Sequence, residues 1–164
     1  MKILKETDRL LIRPIRIDDT AFVLELVNTK GWLEFIGDRS VRDIESAYNY
    51  IQNIILNNKI FYHVFEIKDS KIPIGIVTLL YREDLNFPDI GFAMLPDYEN
   101  NGYAFEATRT YLDRIKDASA IEKIYAITKP DNVHSIKLLS KLGLVYEKTK
   151  EAQSEVLNIY SINL

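Results

Sequence analysis

The chain contains no cysteine. That excludes disulfides, thiolate zinc sites and a cysteine nucleophile. Histidine occurs only at His63 and His134, too sparse for a histidine-built metal centre, so no metal is expected. Long apolar runs are missing too. The longest, Ile72 to Tyr81, is too short to span a bilayer and carries Pro73 and Gly75. The opening residues, MKILKETDRL, lack the apolar region and small-residue cleavage site of a signal peptide. The expectation is a cytoplasmic protein without membrane contact. Positive charge is not in excess: 21 Lys plus Arg face 24 Asp plus Glu, a formal net charge of −3. Nucleic-acid binding is therefore not expected. No repeat, low-complexity run or Pro/Gly/Ser-rich linker interrupts residues 1–164, which read as one domain.

What is present is ordinary for a globular protein: 47% hydrophobic and 27% charged residues over 164 positions. A chain of this size buries about 70% of its unfolded surface. Leu10 to Ile17 alternates and predicts a strand. Asp18 and Asp19 offer an N-cap to a helix with Phe22, Val23, Leu26 and Val27 on one stripe. A loop carrying Trp32, Phe35 and Gly37 is expected next. Ser40 then caps a second helix with Ile44, Ala47, Tyr48 and Ile51 at helical spacing. Ile60 to Lys68, Ile72 to Tyr81 and Asp89 to Leu95 read as strands, and the short turn Asp69-Ser70-Lys71 favours antiparallel pairing. Pro96 ends the third of them.

The last third switches period. Ala104, Ala107, Thr108, Tyr111 and Ile115 share a helix face, and Ile121 to Thr128 reads as a strand. Asp131 or Asn132 caps a helix with Ile136, Leu139 and Leu142 inward and Gly143 at its end. Leu144 to Lys148 and Val156 to Ile162 are the final strands. The order predicts a mixed α/β domain, with one central sheet flanked by about four helices.

Asp89 to Ala107, DIGFAMLPDYENNGYAFEA, is the most informative stretch. A strand stops at a proline, a short polar loop follows, and Gly102 opens a helix. The first N–H groups of a helix lack internal partners, and the helix dipole adds partial positive charge there. Gly102 permits close backbone approach, and Asn100 and Asn101 tolerate unusual turn dihedrals. A phosphate or diphosphate fits such a place. Read alone, the same residues also describe a capped helix after a turn. There is no P-loop lysine and no GxGxxG.

The segment resembles the acyl-CoA-binding motif of the GNAT family of N-acetyltransferases, Q/R-x-x-G-x-G/A, here Glu99-Asn100-Asn101-Gly102-Tyr103-Ala104. GYAFEA (Gly102 to Ala107) is similar to the GYATEA of the ribosomal-protein alanine N-acetyltransferase branch. TDRLLIRPIRIDD (Thr7 to Asp19) is similar to that branch's first strand, and NVHSIKLLSKLGL (Asn132 to Leu144) to its N-x-x-S-x-x-x-x-x-K-x-G-F block. The three pieces occur in order and span nearly the whole chain. Two residues depart from the motif: Glu99 stands where Gln or Arg is usual, and Asn100 replaces a common glycine.

The resemblance implies a mostly antiparallel sheet splayed between the strand ending at Leu95 and the strand Ile121 to Thr128. It implies acetyl-CoA as cosubstrate, with the pantetheine arm held in the split by the backbone of Phe92, Ala93 and Met94. Asn100, Asn101, Gly102, Tyr103 and Ala104 would hold the diphosphate, and Asn132 would bond the pantetheine from the other side. The implied reaction is attack of an amine on the thioester. A bulge near Met94 would aim an N–H at the oxyanion. Asp89, where relatives often carry Glu, would take the amine proton; read without the resemblance, it is a strand-end carboxylate after Pro88. Ser135 would protonate the thiolate or else serves the helix end. The tyrosine of many relatives is absent, and Leu139 stands there.

His63, between Phe61 and Phe65, reads as packed, and His134 as exposed. Trp32, Phe35, Tyr48 and Tyr62 are candidates for an acceptor pocket, and Glu83-Asp84 for attracting a cationic amine or simply for a solvated loop. The expected acceptor is a protein N-terminal amine. Small amines (polyamines or antibiotics), a non-catalytic acyl-CoA-binding module and an unrelated phosphate-binding domain are the other readings. An oligomer is left open.

Overall fold

Period-two alternation in the middle of the chain builds a meander. The computed structural model describes residues 5–118, 121–152 and 155–164. The first four residues of the amino-terminal stretch read above lie outside them. The strands are β1 (Lys5–Glu6), β2 (Leu10–Pro14), β3 (Ile60–Ile67), β4 (Pro73–Leu80), β5 (Asp89–Met94), β6 (Lys123–Thr128), β7 (Val145–Ala152) and β8 (Glu155–Asn163). They form one sheet in the order β1-β2-β3-β4-β5-β6-β8-β7. Every neighbouring pair is antiparallel except β5 and β6, which run parallel. This is the mixed, mostly antiparallel α/β architecture expected.

Five α-helices occur among the described residues: α1 (Thr20–Val27), α2 (Lys30–Phe35), α3 (Ile44–Leu56), α4 (Tyr103–Ala118) and α5 (Val133–Leu142). The unexpected one is α2, in the stretch read as a loop. Its six residues are too few to show a helical period, and Gly31 lies inside it. Thr29 caps it by accepting the Trp32 N–H, and Gly37, at φ 103°, follows its end. Ser40 does not cap α3. Asp43 does, accepting the Ser46 N–H at 2.8 Å while Ser46 Oγ accepts the Asp43 N–H at 3.0 Å. A reciprocal box satisfies two orphan donors, which a lone serine further upstream does not. The inward residues of α3 are Ala47, Ile51 and Ile54, whereas Ile44 and Tyr48 are exposed.

Asp18 and Asp19 lie in a 3-10 turn ahead of α1. Asp19 is committed elsewhere. Its two carboxylate oxygens accept Arg13 Nη1 and Nη2 at 2.9 and 2.8 Å, and Arg13 Nε donates to Glu66 Oε2 at 2.8 Å. Arg13, Asp19 and Glu66 are 6%, 4% and 5% exposed. This buried triad ties the entry of α1 to β2 and β3.

The sheet separates two apolar layers. Phe65, Val77, Ile90, Tyr111, Ile115, Leu139 and Leu142 pack with α4 and α5 on one face. Val64 and Ile76 pack against Phe22, Leu26, Trp32 and Ile51 of α1 to α3 on the other. His63 is buried against the Tyr111 ring, centroids 4.9 Å apart, and His134 is exposed, as the strand and helix patterns predicted.

Candidate active site

The sheet opens at its centre. β5 and β6 each have six residues, yet among the described residues they share one bridge, Asp89 with Tyr125. The Tyr125 N–H reaches the Pro88 carbonyl at 2.9 Å. A parallel ladder would next join the Ile127 N–H to the Ile90 carbonyl. Instead the ladder stops after this one bridge, and the nearby Ile127 main chain favours the ionised form of the Asp89 carboxylate. Beyond the Asp89–Tyr125 bridge the strands part.

The alternation of the flanking ladders says which groups face the opening. Leu95 N–H bonds the Ile74 carbonyl at 2.8 Å, so Ala93 and Gly91 also turn their peptide groups to β4. Ile90, Phe92 and Met94 turn theirs away from β4, toward β6. By the same count on the β8 side, Leu164 N–H bonds Glu122 O at 3.0 Å, leaving Tyr125 and Ile127 facing β5. Of the three residues named on β5, Phe92 and Met94 thus present main-chain groups to the split, while those of Ala93 pair with Ile76. The bulge expected near Met94 is absent: the β4–β5 register runs unbroken from Gly75–Met94 to Leu80–Asp89. Regular alternation already aims the Met94 N–H into the gap.

At the wide end of the split lies the loop before α4. Asn100 has φ 62° and Gly102 φ 79°. Left-handed residues alternating with a right-handed or extended one turn successive N–H groups toward one side. The loop's carbonyls are occupied: Asn101 Nδ2 donates to Tyr98 O at 3.2 Å and to Glu99 O at 2.9 Å, and Arg9 Nη1 donates to Asn101 O at 3.1 Å. The first helical hydrogen bond runs from Glu106 N to Gly102 O, so the N–H groups of Tyr103 and Ala104 lie ahead of the ladder. These donors suit a diphosphate, and the exposed Glu99 side chain stands in solvent rather than under a buried anion.

Across the split, Asn132 caps α5, its Oδ1 accepting the Ser135 N–H at 3.1 Å. That leaves the Asn132 side-chain NH2 as a donor. Ser135 is half-buried on the first turn, Leu139 is buried in the core, and Gly143 closes the helix at φ 92°.

The face of the sheet under α1 to α3 carries the remaining chemistry. Register places Tyr62, Thr78 and Gly91 in one cross-strand row, with Asp89 two positions along β5 on the same face. A Cβ on Gly91 would lie 2.7 Å from Thr78 Oγ1, so this floor admits no side chain. Tyr62 OH lies 3.1 Å from Tyr50 OH, and burial, reinforced by that neighbour, pushes the Tyr62 phenol up. Asp89 is 4% exposed, and burial pushes its carboxyl up to about 6, although Arg82 Nε donates to it at 2.6 Å. Of the aromatics named for a pocket, Trp32 is core, Phe35 is half-buried and Tyr48 bonds Gln52 on the exposed side of α3. Tyr50 was missed, because a tyrosine at helical spacing looks like any other surface residue until its partner strand is known. Glu83 and Asp84 pair with Lys59 and Lys150, respectively. Among the described residues, no group of three or more His, Asp or Glu is placed to hold a metal, and no helix is long and apolar enough to cross a membrane.

Comparison with known proteins agrees with this fold. The chain is 26% identical over 138 residues to the uncharacterized N-acetyltransferase YnaD of Bacillus subtilis (strain 168), covering 84% of this chain and 80% of that one. Its fold matches ribosomal-protein-S5-alanine acetyltransferase from Vibrio fischeri, with TM-score 0.83 at 20% identity over 98% and 96% of the two chains. It also matches spermidine N-acetyltransferase from Vibrio cholerae in complex with CoA and spermine, with TM-score 0.80 at 18% identity over 96% of each. The family described as acetyltransferase (GNAT) domain matches residues 9–145. With that domain covering most of its length, the chain belongs to the GNAT acetyltransferase family.

Proposed function

We propose that the protein transfers the acetyl group of acetyl-CoA to a protein N-terminal α-amine. The observation that carries the choice of acceptor is the acidic inventory of the acceptor face. Asp19, Glu66 and Asp89 are buried, and each is already shared with an arginine, Arg13 for the first two and Arg82 for the third. Glu83 and Asp84, the acidic pair nearest in sequence, hold lysines of β7 and the β3 entry. A polyamine needs several free carboxylates along its length; a peptide amine needs one proton acceptor. An α-amine has a pKa near 7.7–8.0, against about 10.4 for lysine, so a base near 6 suffices for the first and not the second. A named structural neighbour of each kind exists, one for ribosomal protein S5 alanine and one for spermidine.

In this reading the main-chain groups of Phe92 and Met94 and the Asn132 amide hold the pantetheine arm. The N–H groups of Asn100 to Ala104 hold the diphosphate. When bound, acetyl-CoA supplies an acetyl thioester, an acyl donor with a good leaving group. Asp89 accepts the proton of the amine at its carboxylate, directly or through water. A β5 main-chain N–H that faces the split beside the thioester donates to the oxygen that gains charge. The Ser135 hydroxyl donates a proton toward the sulfur. Holding the reactants aligned contributes several kcal/mol, roughly 7–11 at best.

A thiol has a pKa near 8.5 and leaves readily unaided. Ser135→Ala should therefore lower kcat by roughly tenfold or less, with KM for acetyl-CoA unchanged. Steady-state kinetics measure this, and complete loss of turnover with intact CoA binding would contradict it. The acceptor is tested by release of free thiol from acetyl-CoA with a panel of peptides of different first residues, spermidine and aminoglycosides. Peptides should give the highest kcat/KM. Preference for spermidine or an aminoglycoside overturns the acceptor, and binding of CoA without thiol release from any amine identifies a non-catalytic module.

A further inference from the structure

The turn between β1 and β2 reaches across the chain to the loop before α4. Arg9 Nε and Nη2 donate to Glu106 Oε2 at 2.8 and 2.5 Å, and Arg9 Nη1 donates to the Asn101 carbonyl at 3.1 Å. Its guanidinium lies 4.4 Å from the Tyr103 ring centroid. Thr7 Oγ1 donates to the other Glu106 oxygen at 2.5 Å, and accepts the Leu10 N–H at 2.8 Å. Arg9 also lies beside Gly102, whose added Cβ would sit 3.6 Å from Nη2.

A trans peptide points its carbonyl and the following N–H in opposite directions. Holding the Asn101 carbonyl on Arg9 therefore aims the Gly102 N–H the other way. Asn101 Nδ2, by holding the Glu99 carbonyl, does the same for the Asn100 N–H. These are the two left-handed positions of the loop. The glutamate fork and the tyrosine ring fix the guanidinium while it does this, a task suited to a planar multi-donor group and not to an ammonium.

We infer that Arg9 is a positioning residue for the diphosphate: it locks the Asn101–Gly102 peptide so that the loop's N–H groups are preset for the anion. This rests on the reading that the loop takes the diphosphate of acetyl-CoA. Arg9 acts from behind the loop, its charge paired with Glu106.

The test compares two ligands that differ by the diphosphate-bearing half: CoA and pantetheine. Isothermal titration is run on wild type, Arg9→Ala and Arg9→Lys, with circular dichroism to confirm folding. Arg9→Ala should raise the Kd for CoA about tenfold and leave that for pantetheine within about twofold, and Arg9→Lys should recover less than half of the loss on a logarithmic scale. At saturating acetyl-CoA, kcat should stay within about twofold of wild type. Equal CoA affinity in wild type and Arg9→Ala overturns the inference. So does an equal loss for both ligands, which marks a general structural role, and so does full recovery by lysine, which marks charge alone. Wild-type protein that binds neither ligand refutes the proposed function and the inference with it; wild-type binding of CoA with an indifferent Arg9→Ala refutes the inference alone.

Discussion

Asp89→Asn should lower kcat by about 10²–10⁴-fold, while the Kd for acetyl-CoA stays within about twofold. Asparagine keeps the size of the side chain and an oxygen that can accept the Arg82 Nε–H, so the packing where β5 and β6 part is retained. What it loses is the proton acceptor. The pH profile separates the two roles. Burial raises the Asp89 carboxyl from 3.8 to about 6. In wild type, kcat/KM therefore climbs once as Asp89 ionises near pH 6, and again as the acceptor α-amine loses its proton near 7.7–8.0. The variant should keep only the second rise. An unchanged lower limb would remove Asp89 from the reaction.

The same shift makes a stability prediction of opposite sign. An acid whose folded pKa is raised binds its proton more tightly when folded. The neutral form thus favours folding below about pH 4, and that advantage fades as pH rises through 6. At pH 8 the ionised carboxylate costs on the order of 3 kcal/mol, from a pKa difference of about two units. Asp89→Asn should then melt higher than wild type at pH 8, with the difference closing toward pH 4. A site that is destabilising in its working ionisation state is the usual trade between stability and activity.

Arg13→Met should destabilise the fold by about 3–5 kcal/mol, a drop of roughly 10 °C in Tm for a chain of this size. The substitution leaves Asp19 and Glu66 buried without their shared cation. The cost is of unpairing rather than of the pair's net worth, so replacing all three by apolar residues should recover most of it. Urea unfolding of the single and triple variants measures both. The functional consequence follows from position. The triad fixes the start of α1 against β2 and β3, and α1 to α3 cover the sheet face that carries Tyr62, Thr78 and Asp89. A single variant as stable as wild type would show that this anchoring is dispensable.

Local chemistry was legible in the sequence wherever a residue's type and its neighbours decide its conformation. Gly102, Asn100 and Gly143 all take the left-handed region anticipated for them, and Pro96 follows the end of β5. The inward stripe of α4, with Ala107, Thr108, Tyr111 and Ile115 buried, follows from period alone. The readings that failed depended on competition or on distance. Ser40 lost the cap to Asp43 because Asp43 and Ser46 satisfy each other, a contest decided by geometry three residues apart. Asp19 does stand at the N-cap position of α1, but Arg13, placed by strand pairing with Val64, holds its carboxylate, so it makes no side-chain cap bond to that helix. Arg9 and Glu106 stand 97 positions apart, and their pairing exists only after β2 and α4 meet. Both lie inside blocks that resemble the family, so the signal was present as two motifs and not as one contact. The parting of β5 and β6 was anticipated only through the family resemblance, since residue types alone do not say where a parallel ladder stops.

Main-chain groups of the parted strands are the proposed hold on acetyl-CoA, and amide resonances report on them directly. Uniformly 15N-labelled protein is titrated with CoA and followed by two-dimensional heteronuclear NMR. The largest shifts should fall on the amides of Ile90, Phe92, Met94, Ile127 and Asn100 to Ala104, with Gly91 and Ala93, bonded to β4, moving less. Saturable shifts confined to any other part of the sheet, with Met94 and Gly102 unmoved, would mean that the opening is not where the thioester is held.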